Sequence, residues 1–73
     1  MPPAAAAFVK EMRNDSRFAQ FADRFERGFR QLDIMSDGNL SALKALDVIL
    51  SVVTCRQLSL QQRVDGVIRL VLG

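Results

Sequence analysis

Residues 18–41 read FAQFADRFERGFRQLDIMSDGNLS, and this stretch decides the predicted fold. Its apolar residues recur at steps of three and four, the spacing that places side chains on one face of an α-helix. The stretch closes with Ser36-Asp37-Gly38-Asn39, which is typical of a turn because Gly38 can adopt the left-handed conformation. The pattern therefore predicts an amphipathic helix that ends at a tight turn. The apolar face of that helix comprises Phe18, Phe21, Ala22, Phe25, Phe29 and Leu32.

Helix-forming residues also dominate on both sides of this stretch, and no segment alternates as a half-buried strand would. We predict an all-α fold: a single small domain over residues 1–73 with three major helices. Asn14-Asp15-Ser16 could break the first helix and cap a new one that starts at Arg17, because these residue types favour helix caps over helix interiors. Ser59 and Gln62 have the spacing of a capping box at the start of the third. The predicted helical regions are about 4–34, 40–56 and 60–72.

The chain carries more apolar residues than a domain of this size can hide. Hydrophobic residues make up 49% of its 73 positions, and small domains bury a smaller fraction of their surface than large ones. We therefore expect a homodimer or a partner protein to cover the remainder, most simply as a dimeric helical bundle. The predicted contact residues lie on the second and third helices: Leu46, Ile49, Leu50, Val53, Val64, Val67, Ile68 and Val71.

The same composition argues against catalysis. The chain has no histidine to activate Cys55, its only cysteine, and no acid–base partner suits Asp33 or Asp37. We predict a non-enzymatic protein with no cofactor and no small-molecule substrate. A lone cysteine favours a reducing compartment, and the apolar run Val48–Val53 is too short to span a bilayer. We accordingly expect a cytoplasmic protein that does not insert into membranes.

The turn and its flanking helices resemble the EF-hand family. Phe25, Phe29 and Leu32 stand where the incoming EF-hand helix carries apolar residues, and Leu40 matches the apolar eighth loop position. Asp33, Asp37 and Gly38 match the first, fifth and sixth loop positions. Two positions depart from a calcium site, because Met35 offers a thioether at the third and Lys44 replaces the closing bidentate carboxylate at the twelfth.

The resemblance therefore implies an EF-hand-like interaction fold whose vestigial loop binds no metal well. The oxygen donors that remain in this loop are Asp33, Asp37, Asn39 and Ser41. The alternative is a helix stopped at Gly38 and joined to the next helix by a short turn.

A second pattern runs along the first helical region, where seven cationic or amide side chains recur at alternating steps of three and four. On a continuous helix they would share one face over roughly 30 Å. Spaced cations on a rigid rod suit phosphate backbones, and double-stranded RNA is recognised mainly through its shape and backbone. Double-stranded RNA binding is therefore the alternative predicted function, and a solvated helix face with ordinary ion pairs is the plainer interpretation. The members of this basic line are Lys10, Arg13, Arg17, Gln20, Arg24, Arg27 and Gln31.

Three further segments are similar to nodavirus RNA-silencing suppressors. They are Met1-Pro2 with Ala7-Phe8-Val9-Lys10-Glu11-Met12, Asn39-Leu40-Ser41-Ala42, and the helix from Ser59-Leu60 to Gly73. This resemblance implies a three-helix chain that dimerises into a bundle and binds double-stranded RNA along one long face. The second helix here is apolar rather than basic, so Lys10, Arg13, Arg17, Arg24 and Arg27 would have to carry that binding.

Overall fold

The computed structural model describes all 73 residues as an all-α bundle without strands. It contains four α-helices, not three, because the first predicted helical region is two helices joined by a reversal. None of the helices combines the length and the apolar character that a membrane crossing requires. The helices are α1 (Pro3–Arg13), α2 (Ala22–Ser36), α3 (Leu40–Val53) and α4 (Leu60–Leu72), with a 3₁₀ turn at Ala19–Phe21 before α2.

The reversal between α1 and α2 begins where the sequence predicted a break. The Asp15 carboxylate accepts a hydrogen bond from the Arg17 backbone N–H at 2.9 Å, and such a local side-chain bond competes with helix continuation. The sequence also predicted that the new helix would start near Arg17, but α2 begins five residues later at Ala22. The chain needs these residues to turn back on itself, and Ala22 is fully buried there.

Contacts along their length show that α1 and α2 form an antiparallel hairpin. At one end the Met1 ammonium lies 3.3 Å from Asp33. In the middle the Phe8 ring lies 6.2 Å from the Phe25 ring and 6.3 Å from the Phe29 ring, measured between centroids. These three rings form the centre of a core that α3 and α4 complete with Ile49, Val53, Val64 and Val67.

The connection between α2 and α3 contains three residues, Asp37, Gly38 and Asn39. Gly38 has φ +84°, the left-handed conformation that the sequence predicted. Asn39 caps α3, because its side-chain oxygen accepts the Ala42 backbone N–H at 3.1 Å. The α2 helix continues through Ser36, so only three residues connect it to α3. A calcium-binding EF-hand loop holds twelve residues.

The α3–α4 connection has the predicted capping box. The Ser59 hydroxyl accepts the Gln62 backbone N–H at 3.1 Å, and the Gln62 side chain accepts the Ser59 N–H at 2.8 Å. Gly66 then permits the close crossing of α4 over α3, because a Cβ atom there would lie 3.0 Å from the Val52 Cγ1. The two helices pack side by side as a result.

Candidate functional site

An exposed apolar surface lies on the last two turns of α4. Val64 and Val67 are buried, yet Val71, on the same face one turn further along, is 66% exposed. Its neighbours are accessible as well, with Ile68 39%, Leu70 46% and Leu72 82% exposed. The last turns of α4 are therefore covered less than its first turns, and we call the exposed surface formed by Ile68, Leu70, Val71 and Leu72 the α4 face.

Two open grooves border the α4 face, one on each side of Val71. The α2–α4 groove has a volume of about 360 Å³ and the α3–α4 groove about 420 Å³. The α2–α4 groove is open because α4 packs on α3 and barely approaches α2. Six apolar residues and one cation line each groove. The α2–α4 groove is lined by Arg24, Phe25, Phe29, Val67, Ile68, Val71 and Leu72, and the α3–α4 groove by Leu32, Lys44, Ala45, Val48, Ile49, Leu70 and Val71.

The structure divides the predicted contact residues into core and surface. Leu50 is half-buried, while Ile68 and Val71 belong to the α4 face. Leu70, Leu72 and Val48 are accessible residues that the sequence reasoning missed. Periodicity shows which side of a helix is apolar, but not where the neighbouring helices stop covering it. Five of the eight predicted residues are buried within the single chain: Leu46, Ile49, Val53, Val64 and Val67.

The total surface also exceeds that of a typical monomer. The chain exposes 5036 Å² and buries only 12 of its 73 residues. A monomeric protein of 8.2 kDa exposes about 4,500 Å² by the usual scaling of surface with mass. The exposed surface is therefore about a tenth larger than this scaling gives for a compact monomer.

The hairpin separates the basic line into pieces that no longer share one face. Lys10 and Arg13 lie on α1, Arg17 lies in the reversal, and Gln20 lies in the 3₁₀ turn. The remaining members, Arg24, Arg27 and Gln31, lie on α2. A basic line of roughly 30 Å requires a continuous helix, and the reversal between α1 and α2 interrupts that helix.

Local carboxylates neutralise two of the predicted cations. Arg13 donates to Asp23 at 2.6 Å and to Glu26 at 3.1 Å, and these hydrogen bonds, Asp23 first, raise the pKa of its guanidinium. Arg17 donates to Asp15 through Nε at 3.1 Å and Nη2 at 2.8 Å. Lys10, Arg24 and Arg27 are exposed and form no ion pair in the structure.

The Asp15–Arg17 pair predicts a measurable titration. Hydrogen bonds from the Arg17 side chain and then its backbone hold the pKa of Asp15 below its ordinary value. A lowered pKa in the folded state means that the pair stabilises the fold above the unfolded value, about 3.9. That contribution is lost as the pH falls through the folded pKa. An NMR titration should show Asp15 titrating below the ordinary value of an aspartate, and Arg17→Gln should bring the Asp15 pKa up toward that value; an unchanged pKa would contradict the pairing.

The vestigial loop and the cysteine form no further site. No group of three or more Asp, Glu, His or Cys side chains is placed to hold a metal ion. Asp33 faces the Met1 ammonium, and the Asn39 side-chain oxygen is occupied by the cap of α3. Cys55 is half-buried, with its sulfur 3.6 Å from the Gln57 amide oxygen.

Comparison with known proteins finds no family model, no curated protein and no solved structure that matches this chain. The resemblances to EF-hands and to nodavirus suppressors therefore rest on the quoted residues alone.

Proposed function

We propose that this chain is a non-enzymatic helical module for protein–protein interaction, which binds a partner protein or a second copy of itself through the α4 face. The observation that supports this is the 66% exposure of Val71 between two apolar grooves. Large exposed apolar patches on small proteins mark interaction surfaces. A dimeric helical bundle is one form that such an interaction takes.

The size of the α4 face indicates how much of the protein a partner must contact. A standard interface buries about 800 Å² on each side and involves about 20–30 residues, whereas the α4 face comprises four side chains. A partner that contacts only the α4 face would therefore bury too little apolar surface to bind stably. It has to enter at least one of the two grooves as well.

Photo-crosslinking at Val71 tests this proposal. We expect a benzoylphenylalanine placed there to form a discrete covalent adduct in cells, because the bound surface lies against this position. The same residue at Arg56, an exposed position in the connection at the other end of α4, serves as the matched control. The adduct mass separates a second copy from a different protein. Absence of any adduct at Val71 above the Arg56 control would reject an interaction through the α4 face.

Double-stranded RNA binding is a second candidate, favoured by the free cations Lys10, Arg24 and Arg27. Each neutralised phosphate contributes about 0.9 to the slope of log affinity against log salt. Three contacts give a slope of only about −3, whereas proteins that bind duplexes tightly make about six to ten. A single chain is thus expected to bind RNA weakly, which places this function second.

A gel shift with duplex RNA at 50 and 200 mM salt tests this second candidate. We expect a shift at the lower salt that fades at the higher, and its loss when Arg24 and Arg27 are both changed to glutamine. Arg17→Gln is the control, since that cation is already paired with Asp15 and its removal should matter little. A shift that survives the double change, or none at the lower salt, would reject the role assigned to these residues.

A further inference from the structure

Gly28 has no role in the fold of the single chain. It lies in the interior of α2, is exposed, and has no heavy atom within 4 Å of the place where a Cβ would stand. Glycine weakens a helix relative to alanine. Gly66 is different, because a Cβ there would meet Val52. The chain therefore has a helix-weakening glycine at a position where its own packing would accept a larger residue.

Gly28 is adjacent to the wall of the α2–α4 groove. It follows Phe25 by three residues and Arg24 by four, so all three lie on neighbouring positions of one helix face. Phe25 and Arg24 both line that groove. A glycine at this place lets the backbone of another helix approach α2 closely, because the distance between packed helices depends on the side chains at the contact.

The charges beside the groove indicate what that other helix carries. Arg24 and Arg27 form no ion pair, because the nearby acids are engaged elsewhere. Asp23 pairs with Arg13, and Glu26 pairs with Arg13 and with Arg30. No acidic side chain lines either groove. A ligand with carboxylates beside its apolar surface is therefore complementary to this site.

We propose that the α2–α4 groove binds an amphipathic helix of another protein, with acidic residues flanking its apolar stripe. The stripe packs on Phe25, Ile68 and Val71, a carboxylate reaches Arg24, and the helix backbone passes over Gly28. This is the helix-in-groove mode of recognition, and the proposal rests on the interaction function proposed above.

A second copy of the chain fits this site less well. Each groove carries one unpaired cation, Arg24 in the α2–α4 groove and Lys44 in the α3–α4 groove. Two copies that met through this face would contribute cations and no acidic side chain from the grooves. Like charges at an interface disfavour the pairing.

Binding of designed peptides to the full chain tests the proposal. The probes are three fluorescent 18-residue peptides: an amphipathic helix with glutamates beside its apolar stripe, the same helix with lysines, and a scrambled acidic peptide without a stripe. We expect the first to bind at least tenfold more tightly than the other two by fluorescence anisotropy. Equal affinity for the lysine or scrambled peptide, or binding by none of the three, would overturn the proposal.

Three variants of the chain locate the binding site. Arg24→Gln should weaken binding about two- to fivefold, as expected for an exposed ion pair, and Lys44→Gln in the other groove should leave it unchanged. Gly28→Ala should weaken binding tenfold or more while raising Tm by about 4–8 °C, since alanine strengthens α2. This variant separates lost binding from lost folding. An unchanged affinity of Gly28→Ala, or equal losses in the Arg24 and Lys44 variants, would overturn the assignment to this groove.

Sedimentation of the chain alone distinguishes failure of this inference from failure of the interaction function. A dimer at micromolar concentration that binds none of the peptides would make a second copy the occupant of the α4 face. The interaction function would then stand while the acidic helix is rejected. A chain that stays monomeric, binds no peptide and gives no Val71 adduct would reject both.

Discussion

Phe8→Ala is expected to remove most of the stability of the fold. Phe8 is 2% exposed and packs against both Phe25 and Phe29. Truncating a buried phenylalanine costs about 3–5 kcal/mol, because apolar burial is lost and a cavity remains. A domain of 73 residues is stable by only about 4–11 kcal/mol. Urea unfolding followed by circular dichroism should show a large fall in the midpoint, or no folded baseline.

Phe21→Ala is the matched control for this prediction. Phe21 lies in the 3₁₀ turn, is 38% exposed, and is outside the core cluster. The same chemical change at that position is expected to cost no more than about 1 kcal/mol, since Phe21 is partly in water and does not pack against the core cluster. Equal losses at the two positions would mean that the Phe8 ring is not the centre of the core.

The contrast between these phenylalanines shows what the sequence could and could not predict. The stripe from Phe18 to Leu32 was recognisable from its helical spacing. Phe8 lies out of phase with that stripe on an unbroken helix, so periodicity alone could not pair it with Phe25. The Asn14–Ser16 break supplies the connection, because the reversal turns α1 onto the apolar face of α2. A sequence motif thus marked the place of the reversal, and only the tertiary structure shows which faces it brings together.

The candidate site was less predictable for a similar reason. Val71 has the same helical phase as Val64 and Val67, and only the positions of α2 and α3 decide that it is exposed. The ion pairs of Arg13 join residues ten and thirteen positions apart, and such pairs are invisible to rules for neighbours on one helix. The basic line therefore overstated the number of free cations.

Glu11→Gln is expected to destabilise the fold through the only ion pair that joins α1 to α4. Arg63 donates to the two Glu11 carboxylate oxygens at 3.0 and 2.9 Å, and to the Val53 carbonyl at 3.3 Å. Its guanidinium also lies 5.7 Å from the centroid of the Phe8 ring. One side chain thereby ties the first turns of α4 to α1 and to the end of α3. The sequence reasoning missed this residue, because its partner is 52 positions away.

The expected loss in the free energy of unfolding follows from the unequal exposure of the Arg63 and Glu11 side chains. The Arg63 side chain is 15% exposed and that of Glu11 48%. Removing the carboxylate leaves a largely buried cation short of acceptors, which costs more than losing a surface pair, but water at the Glu11 end offsets part of that cost. We expect a loss of about 1–2 kcal/mol in the free energy of unfolding for Glu11→Gln. Arg30→Gln, which breaks the exposed pair with Glu26, should cost less than about 0.5 kcal/mol.

A second substitution separates the ion pair from a general loss of packing. If Glu11→Gln acts by leaving the Arg63 cation unpaired, adding Arg63→Met should cost little more, because methionine removes that charge and keeps apolar contact with Phe8. The double variant should then be more stable than the sum of the two single losses by about 1 kcal/mol in urea unfolding. Losses that add to within about 0.3 kcal/mol would show that the two side chains act independently.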